Sequence, residues 1–403
     1  MAVNGYHAGT GRINFGGYTH FCMAEGDLAA RTSMAGLAGK DGKKTEMETI
    51  PGTQIQQDAP KFEEVLKRQK PQVKSLYEQL CQALPDTEVT YSFGYHFAGT
   101  DESHFEEALK AAEKADVVIV TLGGKHGTSS IASMGEGIDA VDINLPPCQE
   151  RFLEKLAKLH KPTVGVHFNG RPISSDMAGR CLNAILEAWN PAEKGSEAIA
   201  KVLVGDYNPG GKMPVSTARC AGQIPVYYNH PYGSSTHQGE SIGFVNYVDM
   251  PHAPRYCFGH GLSYTAFAYE NLVLSGKEIP AEGRLEISLD VRNTGDRKGD
   301  EVVQLYIRDR YASMTRPNME LAGFLRVTLL PGEKKRIRFT LPMSQLAFLD
   351  GEMRWKVEGG SMDVLVGSSS EDIRLTDRFL ITGDAYIDGK NRGFYAGGTY
   401  ASV

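Results

Sequence analysis

The sequence lacks the features that mark several large classes of protein. Its six cysteines lie far apart along 403 residues and form no CxxC pair, so neither a zinc site nor a disulfide framework is expected. We instead predict free thiols in a reducing cytoplasm. The eleven histidines show no HExxH or comparable ligand spacing, and the sequence predicts no metal and no cofactor.

Long apolar runs and a strong charge bias are also missing. No apolar stretch approaches the roughly 18 residues that would suggest a membrane span, and residues 1–21 have no apolar core of the kind found in a signal peptide. The net charge is -6, with Lys and Arg scattered among Asp and Glu. We therefore expect a mildly acidic cytoplasmic protein that binds neither nucleic acid nor membrane.

What is present is an alternation of helices and apolar strands between about residues 61 and 204. Residues 116–124 form a continuous β-branched run that ends in glycines, which is typical of a buried parallel strand. The other predicted elements are strands at 88–93, 162–168 and 184–189 and helices at 61–84 (interrupted at Pro71), 105–115, 149–159 and 193–204. The first 60 residues show little periodicity and are interpreted as extended loops. The alternation predicts a mostly parallel sheet sandwiched by helices, an α/β fold.

The pattern changes near residue 270, where apolar and polar residues begin to alternate. Such stretches, separated by Gly, Pro or Asp turns, are Leu285–Asn293, Glu301–Arg308, Phe324–Leu329, Lys335–Leu341 and Ser361–Val366. Short strands at this spacing predict a β-sandwich of immunoglobulin or fibronectin type III architecture. The predicted domains are residues 1–228 (α/β), 229–269 (a long connection), 270–383 (the sandwich) and 384–403 (a surface tail).

The loop of residues 123–139 is the candidate functional site, because open parallel sheets bind ligands beyond the carboxyl ends of their strands. The side chains that it brings to the sheet edge are Lys125, His126, Glu136 and Asp139. Glu136 lies between Gly135 and Gly137, so little side-chain bulk shields its carboxyl group. A partly desolvated carboxyl group holds its proton more strongly, which suits general acid work near neutrality.

Other interpretations of these residues stay open. Glu136 also fits a solvated loop residue, and Asp139 also fits a residue that only fixes the turn after it. Lys125 and His126 also fit solvated residues at the rim of the site. Arg171, after the next strand, is predicted to tie a loop to a carboxylate. The glycines match neither GxGxxG nor GxxxxGK[ST], so no phosphate site is expected, and no GxSxG elbow supports a hydrolase triad.

Several blocks of the sequence occur in an order that resembles glycoside hydrolase family 3. Met134-Gly-Glu-Gly followed by Asp142-Ile-Asn-Leu-Pro-Pro-Cys-Gln resembles the "GEG…D-[IL]-x-LP…Q" signature of that family's α/β sandwich domain. Later blocks that look like the same domain begin at Phe168, Ile185, Ala198, Gln223 and Phe258. Blocks similar to the family's fibronectin type III-like domain begin at Glu301, Arg316 and Leu330. The ordered set covers the chain from about residue 16 to 367.

The resemblance implies a β-glycosidase, most often a β-glucosidase, that retains anomeric configuration at terminal non-reducing β-linked sugars. In such enzymes a carboxylate nucleophile forms a glycosyl-enzyme, and a second carboxyl group protonates the departing oxygen and later activates water. Glu136 matches the family's acid/base residue. The expected sugar contacts are Lys125, His126 and Asp139, and β-xylosidase specificity is the next expectation after glucose.

The resemblance also implies a missing part. The family's nucleophile is an Asp on a (β/α)8 barrel that normally precedes the α/β domain, and this sequence has no counterpart of the barrel or of its Ser-Asp motif. The nucleophile is therefore expected from a barrel domain or partner subunit, with an oligosaccharide or β-glucoside as substrate, and the chain alone is expected to be inactive. The alternative is a non-catalytic module that binds glycans or serves as a scaffold. A barrel protein encoded nearby or copurifying would favour the first hypothesis.

Overall fold

The computed structural model describes residues 1–38, 47–231 and 246–403 of the chain. The described residues form two compact units, residues 1–207 with 219–222 and residues 208–218 with 223–403. The chain passes from the first unit into the second between residues 207 and 223, near the predicted end of the α/β domain. The detailed domain limits stay a prediction.

The first unit is a parallel sheet combined with helices. Its strands among the described residues are β1 (Ala2–Asn4), β2 (Thr90–Ser92), β3 (Val118–Gly123), β4 (Thr163–Phe168) and β5 (Ala184–Glu187). Its helices are α1 (His20–Ala38), α2 (Pro60–Gln69), α3 (Leu76–Ala83), α4 (Phe105–Lys114), α5 (Pro147–Ala157), α6 (Asp176–Cys181) and α7 (Gly195–Leu203). The α/β prediction is confirmed.

The strand order determines where this sheet can bind a ligand. The order is β2-β1-β3-β4-β5, and every neighbouring pair is parallel. The chain moves from β1 to one side for β2 and to the other side for β3, so the order reverses between β1 and β3. Doubly wound sheets bind ligands at such a reversal, beyond the carboxyl ends of the strands. The loops that leave this point are residues 5–19 and 124–146.

β3 is buried on both faces because successive side chains enter two different cores. Val118, Val120 and Leu122 join a cluster that includes Phe105 of α4 and Phe152 of α5. Ile119 belongs to a second cluster on the opposite face, together with Val166 of β4. An apolar run without alternation is the sequence pattern of such a strand. The core therefore fixes the strand end from which the candidate loop departs.

The prediction of extended loops over the first 60 residues is wrong at two places. Residues 2–4 form β1, next to β3 in the sheet, and residues 20–38 form α1. A strand of three residues is too short to show periodicity. The described part of α1 buries the small residue Ala29 and packs Gly26 against the side chain of Ser129, so it lacks the stripe of large apolar residues that identifies a helix in sequence.

The second unit is an antiparallel sandwich, as predicted. Its main strands are β6 (Phe267–Leu274), β7 (Glu278–Pro280), β8 (Arg284–Asn293), β9 (Gly299–Asp309), β10 (Glu320–Leu329), β11 (Lys334–Pro342), β14 (Gly360–Gly367), β15 (Ile373–Thr382) and β17 (Gly397–Ser402). Three short strands, β12 (Phe348–Leu349), β13 (Trp355–Val357) and β16 (Ala385–Tyr386), form a small separate sheet. The two large sheets have the orders β10-β9-β14-β15-β7 and β17-β11-β8-β6.

The sandwich core follows the alternation seen in the sequence. Leu285, Ile287, Leu289 and Val291 of β8 are buried two residues apart, and they share one cluster with apolar side chains of β9, β11, β14 and β15. β7 is parallel to β15, unlike the other neighbours. The predicted tail contributes β17, which pairs with β11 at an exposed sheet edge.

The structure bears on the expected free thiols and on the expected lack of a membrane-spanning segment. Cys22, Cys81, Cys148, Cys181 and Cys257 carry free thiols. Among the described helices, none has both the length and the apolar character that crossing a bilayer requires. The cytoplasmic location stays a prediction.

Candidate active site

The candidate loop starts from a strand end that a glutamine side chain holds. Oε1 of Gln149 accepts a hydrogen bond from the Gly123 amide at 2.9 Å, and its Nε2 donates to the carbonyls of Gly123 (2.9 Å) and His96 (3.1 Å). Gly123 has a φ of 108°, and a Cβ there would lie 2.2 Å from the carbonyl oxygen of Phe168. Gln149 is the last residue of the signature quoted above, and these bonds give it a structural role.

Backbone pairing closes the neck of the loop. The amide of Ser133 donates to the Lys125 carbonyl at 2.9 Å, and the Lys125 amide donates to Oγ of Ser133 at 2.9 Å. The amide of Gly127 donates to the Met134 carbonyl at 2.9 Å. Residues 125–127 therefore lie alongside residues 133–134, immediately before Glu136.

Glu136 occupies a tight turn. The Ile138 amide donates to the Gly135 carbonyl at 3.1 Å, and Gly137, at the third position, has a φ of 69°. A positive φ at this position, with a negative φ at the residue before it, is the pattern of a type II turn. Gly135 has a φ of 143°, and a Cβ there would lie 1.8 Å from the Gly127 carbonyl oxygen. The two glycines thus allow the backbone conformation of the turn, and Glu136 lies between them on this turn.

The structure corrects one expectation about Glu136. Its side chain is exposed, and its carboxylate makes no hydrogen bond to any residue in the described part of the chain. The expected partial desolvation is therefore not provided by these residues.

His126 connects three loops at the sheet edge. Its Nδ1 accepts from the amide of Gly17, in the loop after β1, at 2.8 Å, and lies 3.4 Å from Nδ2 of Asn190, which follows β5. This geometry assigns the ring proton of neutral His126 to Nε2. Burial lowers the pKa of His126 below its usual value, so the neutral ring is favoured and Nε2–H is a donor. His126 is partly buried rather than a fully solvated rim residue.

Lys125 lies inside the unit and not at its rim. Its side chain is 3% exposed, and Nζ forms an ion pair with the buried carboxylate of Glu25. A direct contact between Lys125 and sugar stays a prediction, and it would require this pair to open.

Asp139 is exposed beside the side chain that ties down the far end of the turn. Nη1 of Arg171 donates to the Ile138 carbonyl at 3.4 Å. Burial lowers the pKa of Arg171, and the negative charge of nearby Asp139 acts in the opposite direction. Arg171 therefore links the loop after β4 to the Glu136 turn, but its hydrogen-bond partner is a backbone carbonyl and not the predicted carboxylate. Substrate contact by Asp139 stays a prediction.

Sequence reasoning missed a network at the ends of β4 and β5. Nδ2 of Asn169 donates to both carboxylate oxygens of Glu187 (3.0 and 3.1 Å), and Nδ1 of His167 lies 3.6 Å from the same carboxylate. Glu187 also accepts from the amide of Trp189 at 3.3 Å. Trp189 has a φ of 52°, a strained value for a bulky residue. The available signal in the sequence was the pair of polar residues His167 and Asn169, which lie at the end of the apolar strand β4 and directly after it.

Sequence reasoning also missed Arg12, Glu25 and Asp58. These residues form an ion-pair cluster with Lys125, in which all members but the half-buried Asp58 are buried. They lie in the first 60 residues, where the interpretation as loops gave no reason to bring them together.

The lowered pKa values of two histidines, His7 and His96, predict that the stability of the fold depends on pH. His7 is fully buried, stacks on Phe168 at 5.4 Å and has Nε2 3.1 Å from the Gly124 carbonyl oxygen. Burial lowers its pKa from 6.5 to about 3, and burial also lowers that of His96, to about 4. Below pH 6.5 the unfolded chain therefore binds protons that the folded chain does not. The folded state should lose up to about 1.4 kcal/mol per pH unit for each histidine as pH falls toward 4.

The test is the free energy of unfolding of the first unit, measured with urea from about pH 7.5 to about pH 5. We expect a decrease in the wild type and a flatter profile in His7→Gln. His20→Gln, which replaces an exposed histidine at the start of α1, should keep the wild-type profile. A wild-type free energy that is equal at both ends of the range would contradict the predicted titration.

Two family models match the chain. The model of the glycosyl hydrolase family 3 C-terminal domain matches residues 1–264, and that of the fibronectin type III-like domain matches residues 301–370. The two matches follow the order of the α/β unit and the sandwich.

Curated relatives show similarity over most of this chain. A periplasmic β-glucosidase of Salmonella typhimurium is 38% identical over 275 residues, which are 68% of this chain and 35% of the relative. A β-xylosidase of Formosa agariphila is 38% identical over 284 residues, 70% of this chain and 38% of the relative. The chain thus spans a little over a third of the length of these relatives.

Solved structures show the same partial match. A β-glucosidase from Erythrobacter marinus superposes with a TM-score of 0.69 and 35% identity, covering 78% of this chain and 44% of the other. A Listeria innocua β-glucosidase in complex with isofagomine gives a TM-score of 0.73 and 27% identity, covering 94% of this chain and 46% of the other.

Proposed function

This chain belongs to glycoside hydrolase family 3, and from that premise we propose that it is part of a retaining β-glycosidase in which Glu136 is the general acid/base. The observation that carries the proposal is the position of Glu136. Its exposed carboxyl group sits on a fixed turn, in a loop that leaves the sheet where the strand order reverses. Ligands approach doubly wound sheets at this point.

In the proposed reaction Glu136 acts twice. As an acid it gives its proton to the glycosidic oxygen while a carboxylate nucleophile attacks the anomeric carbon, so that the aglycone leaves as an alcohol. As a base it then takes a proton from water, which attacks the glycosyl-enzyme and releases the sugar with retained configuration.

The proposal places the nucleophile outside this chain. A retaining pair of carboxyl groups stands about 5 to 5.5 Å apart on opposite sides of the scissile bond. Asp139, three residues after Glu136, lies in the same turn region and near Arg171, which is a poor arrangement for attack from the opposite face. We assign the nucleophile to an Asp of a (β/α)8 barrel, either in the same protein or in a partner subunit.

The exposure of Glu136 supports the need for a partner. A general acid works best when it is partly desolvated, because its proton is then held until the leaving oxygen is close. In the proposal, bound sugar and the barrel cover the turn. The chain alone is expected to hydrolyse nothing.

The test is reconstitution with the barrel. We expect no hydrolysis of nitrophenyl β-glucoside by this chain alone, none by the barrel alone, and turnover by the coexpressed pair. Turnover by this chain alone would contradict the assignment of the nucleophile. An active barrel that is indifferent to this chain would favour the alternative, a glycan-binding or scaffolding module.

Glucose is the proposed sugar, with xylose as the second candidate because a β-xylosidase and a β-glucosidase are equally similar to the chain, at 38% identity. His126, through Nε2–H, and Asp139 are the proposed hydrogen-bonding partners of the sugar. The comparison of nitrophenyl β-glucoside with nitrophenyl β-xyloside on the reconstituted pair decides the preference. A preference for the xyloside would overturn glucose as the substrate and leave the mechanism unchanged.

A cytoplasmic location is also part of the proposal, and the free thiols support it. The Salmonella relative is described as periplasmic. Cell fractionation followed by thiol labelling tests the location, and recovery of the protein outside the cytoplasm would overturn it.

A further inference from the structure

One face of α1 supports the loop that carries Glu136. Sγ of Cys22 lies 3.7 Å from the His126 carbonyl oxygen, and a Cβ at Gly26 would lie 3.4 Å from Cβ of Ser129. Ala29 shares an apolar cluster with Ile131. Positions 22, 25, 26 and 29 lie on one helix face, since residues three and four apart are neighbours. This face contacts the loop at several points between residues 126 and 131.

Glu25 is the charged member of this face and is fully buried. One carboxylate oxygen accepts from Nε of Arg12 at 2.5 Å, and the other is paired with Nζ of Lys125. Arg12 also binds Oδ1 of Asp58 at 2.9 Å, and Oδ2 of Asp58 accepts from the hydroxyl of Tyr6 at 2.5 Å. Two cations and two carboxylates therefore pair with one another in the first unit, and the half-buried Asp58 is the member that reaches solvent.

Lys125 links this ion-pair cluster to the loop that carries Glu136. Its side chain enters the cluster, while its backbone amide and carbonyl bind Ser133 and its carbonyl also accepts from the amide of Met134 at 3.3 Å. Met134 stands two residues before Glu136. Because Glu136 has no side-chain hydrogen bond to the described residues, its position depends on the backbone of this neck.

We propose that Glu25 is a positioning residue for Glu136, acting through Lys125 and the Ser133–Met134 neck. The proposal rests on the proposed function, because it gives the buried cluster a role in general acid catalysis.

A purely structural role is the competing explanation. Buried ion pairs are weak evidence for stability, because well-packed apolar residues often replace them without loss. In the proposal this cluster instead fixes the geometry of the loop, since each charge requires its partner in one place. Misplacement of a catalytic group by about 1 Å can lower the rate about 100-fold. A positioning role of Glu25 is therefore distinguished from a purely structural role by the placement of the loop and not by the stability of the unit.

The first measurement uses the chain alone and does not depend on its activity. In Glu25→Gln the side chain keeps its size and loses its charge, so Lys125 loses its anionic partner. We expect amide hydrogen exchange to become at least about 10-fold faster in peptides covering residues 125–138 and to stay unchanged in the sandwich. Asp27→Asn is the matched control, because Asp27 lies on the same helix in an exposed pair with Arg31. It should exchange like the wild type.

The second measurement uses the reconstituted pair. In Glu25→Gln, kcat/KM should fall about 10- to 100-fold on a disaccharide and less than about 3-fold on dinitrophenyl β-glucoside, whose leaving group needs little protonation. Ser133→Ala removes the side-chain bond to the Lys125 amide and should give the same pattern with smaller losses. It also keeps the proposal testable if Glu25→Gln does not fold.

Two results would overturn the proposal. One is a wild-type rate of amide exchange in the 125–138 peptides of folded Glu25→Gln and folded Ser133→Ala. The other is faster exchange there with equal rate losses on both substrates, which would leave Glu25 a structural role only. Failure of the proposed function itself is seen separately, as a Glu136→Ala variant whose losses do not depend on the leaving group.

Discussion

Replacement of Glu136 by Ala should lower kcat/KM of the reconstituted enzyme on a disaccharide by about 100- to 10,000-fold, the usual contribution of general acid–base catalysis. The sugar alcohol of a disaccharide leaves only when it is protonated, and Glu136 carries the one carboxyl group of the turn at residues 135–138, which Asp139 follows. The measurement is steady-state hydrolysis of cellobiose by the paired proteins.

The same variant should lose much less of its glycosylation rate on dinitrophenyl β-glucoside, because this leaving group departs as a stable anion. Breakdown of the glycosyl-enzyme then becomes the slow step, since no base activates water. Glu106→Gln, which replaces a glutamate on the exposed side of α4, is the control and should match the wild type on both substrates. Equal losses on both substrates would exclude Glu136 as the acid.

Replacement of Gly135 by Ala should also lower the activity of the reconstituted enzyme strongly. The new Cβ would lie 1.8 Å from the Gly127 carbonyl oxygen, and the φ of 143° is unsuited to an L side chain. Backbone on both sides of the neck must move, which displaces Glu136. We expect about a 100-fold loss of kcat/KM on a disaccharide.

Gly137→Ala is the matched control for this substitution. Its φ of 69° is also left-handed, but its Cβ would meet no atom within 4 Å. It should cost about 1 kcal/mol of local stability and keep most of the activity. The comparison is made on the same reconstituted pair, with circular dichroism to confirm folding. Equal activity of the two variants would show that the close approach of Gly135 to Gly127 does not set the turn.

The sequence predicted the parallel sheet because the relevant signals are local. The apolar run of β3 reports burial on two faces, and the helices α4 and α5 show regular apolar spacing. The alternation in β8 likewise reports one buried and one open face. Each pattern needs only neighbouring residues to be recognised.

The order of the strands was not visible in this way. β1 has three residues, Ala2–Asn4, and its pairing with both β2 and β3 determines where the sheet reverses. The reversal gives the Glu136 loop its importance, and it depends on contacts between residues about 90 to 120 positions apart. Propensity and periodicity carry no information about such pairings.

The candidate site divides in the same way. Glu136 was found because a carboxyl group between two glycines after a buried strand is a local pattern. Glu25 and Arg12 were not found, because their link to the site is the ion pair between Glu25 and Lys125. Lys125 lies 100 residues beyond Glu25 in the sequence. Lys125 looked like a rim residue for the same reason: a lysine in a loop gives no sign of a buried partner on another element.

Azide rescue tests whether Glu136 is the acid/base of a retaining glycosidase. Glu136→Ala, paired with the barrel, is incubated with dinitrophenyl β-glucoside and sodium azide, and the product is identified by nuclear magnetic resonance. Azide needs no general base to attack the glycosyl-enzyme. If Glu136 is the acid/base, azide should speed turnover and form β-glucosyl azide, with retained configuration. Absence of rate enhancement, or an α-glucosyl azide, would contradict it.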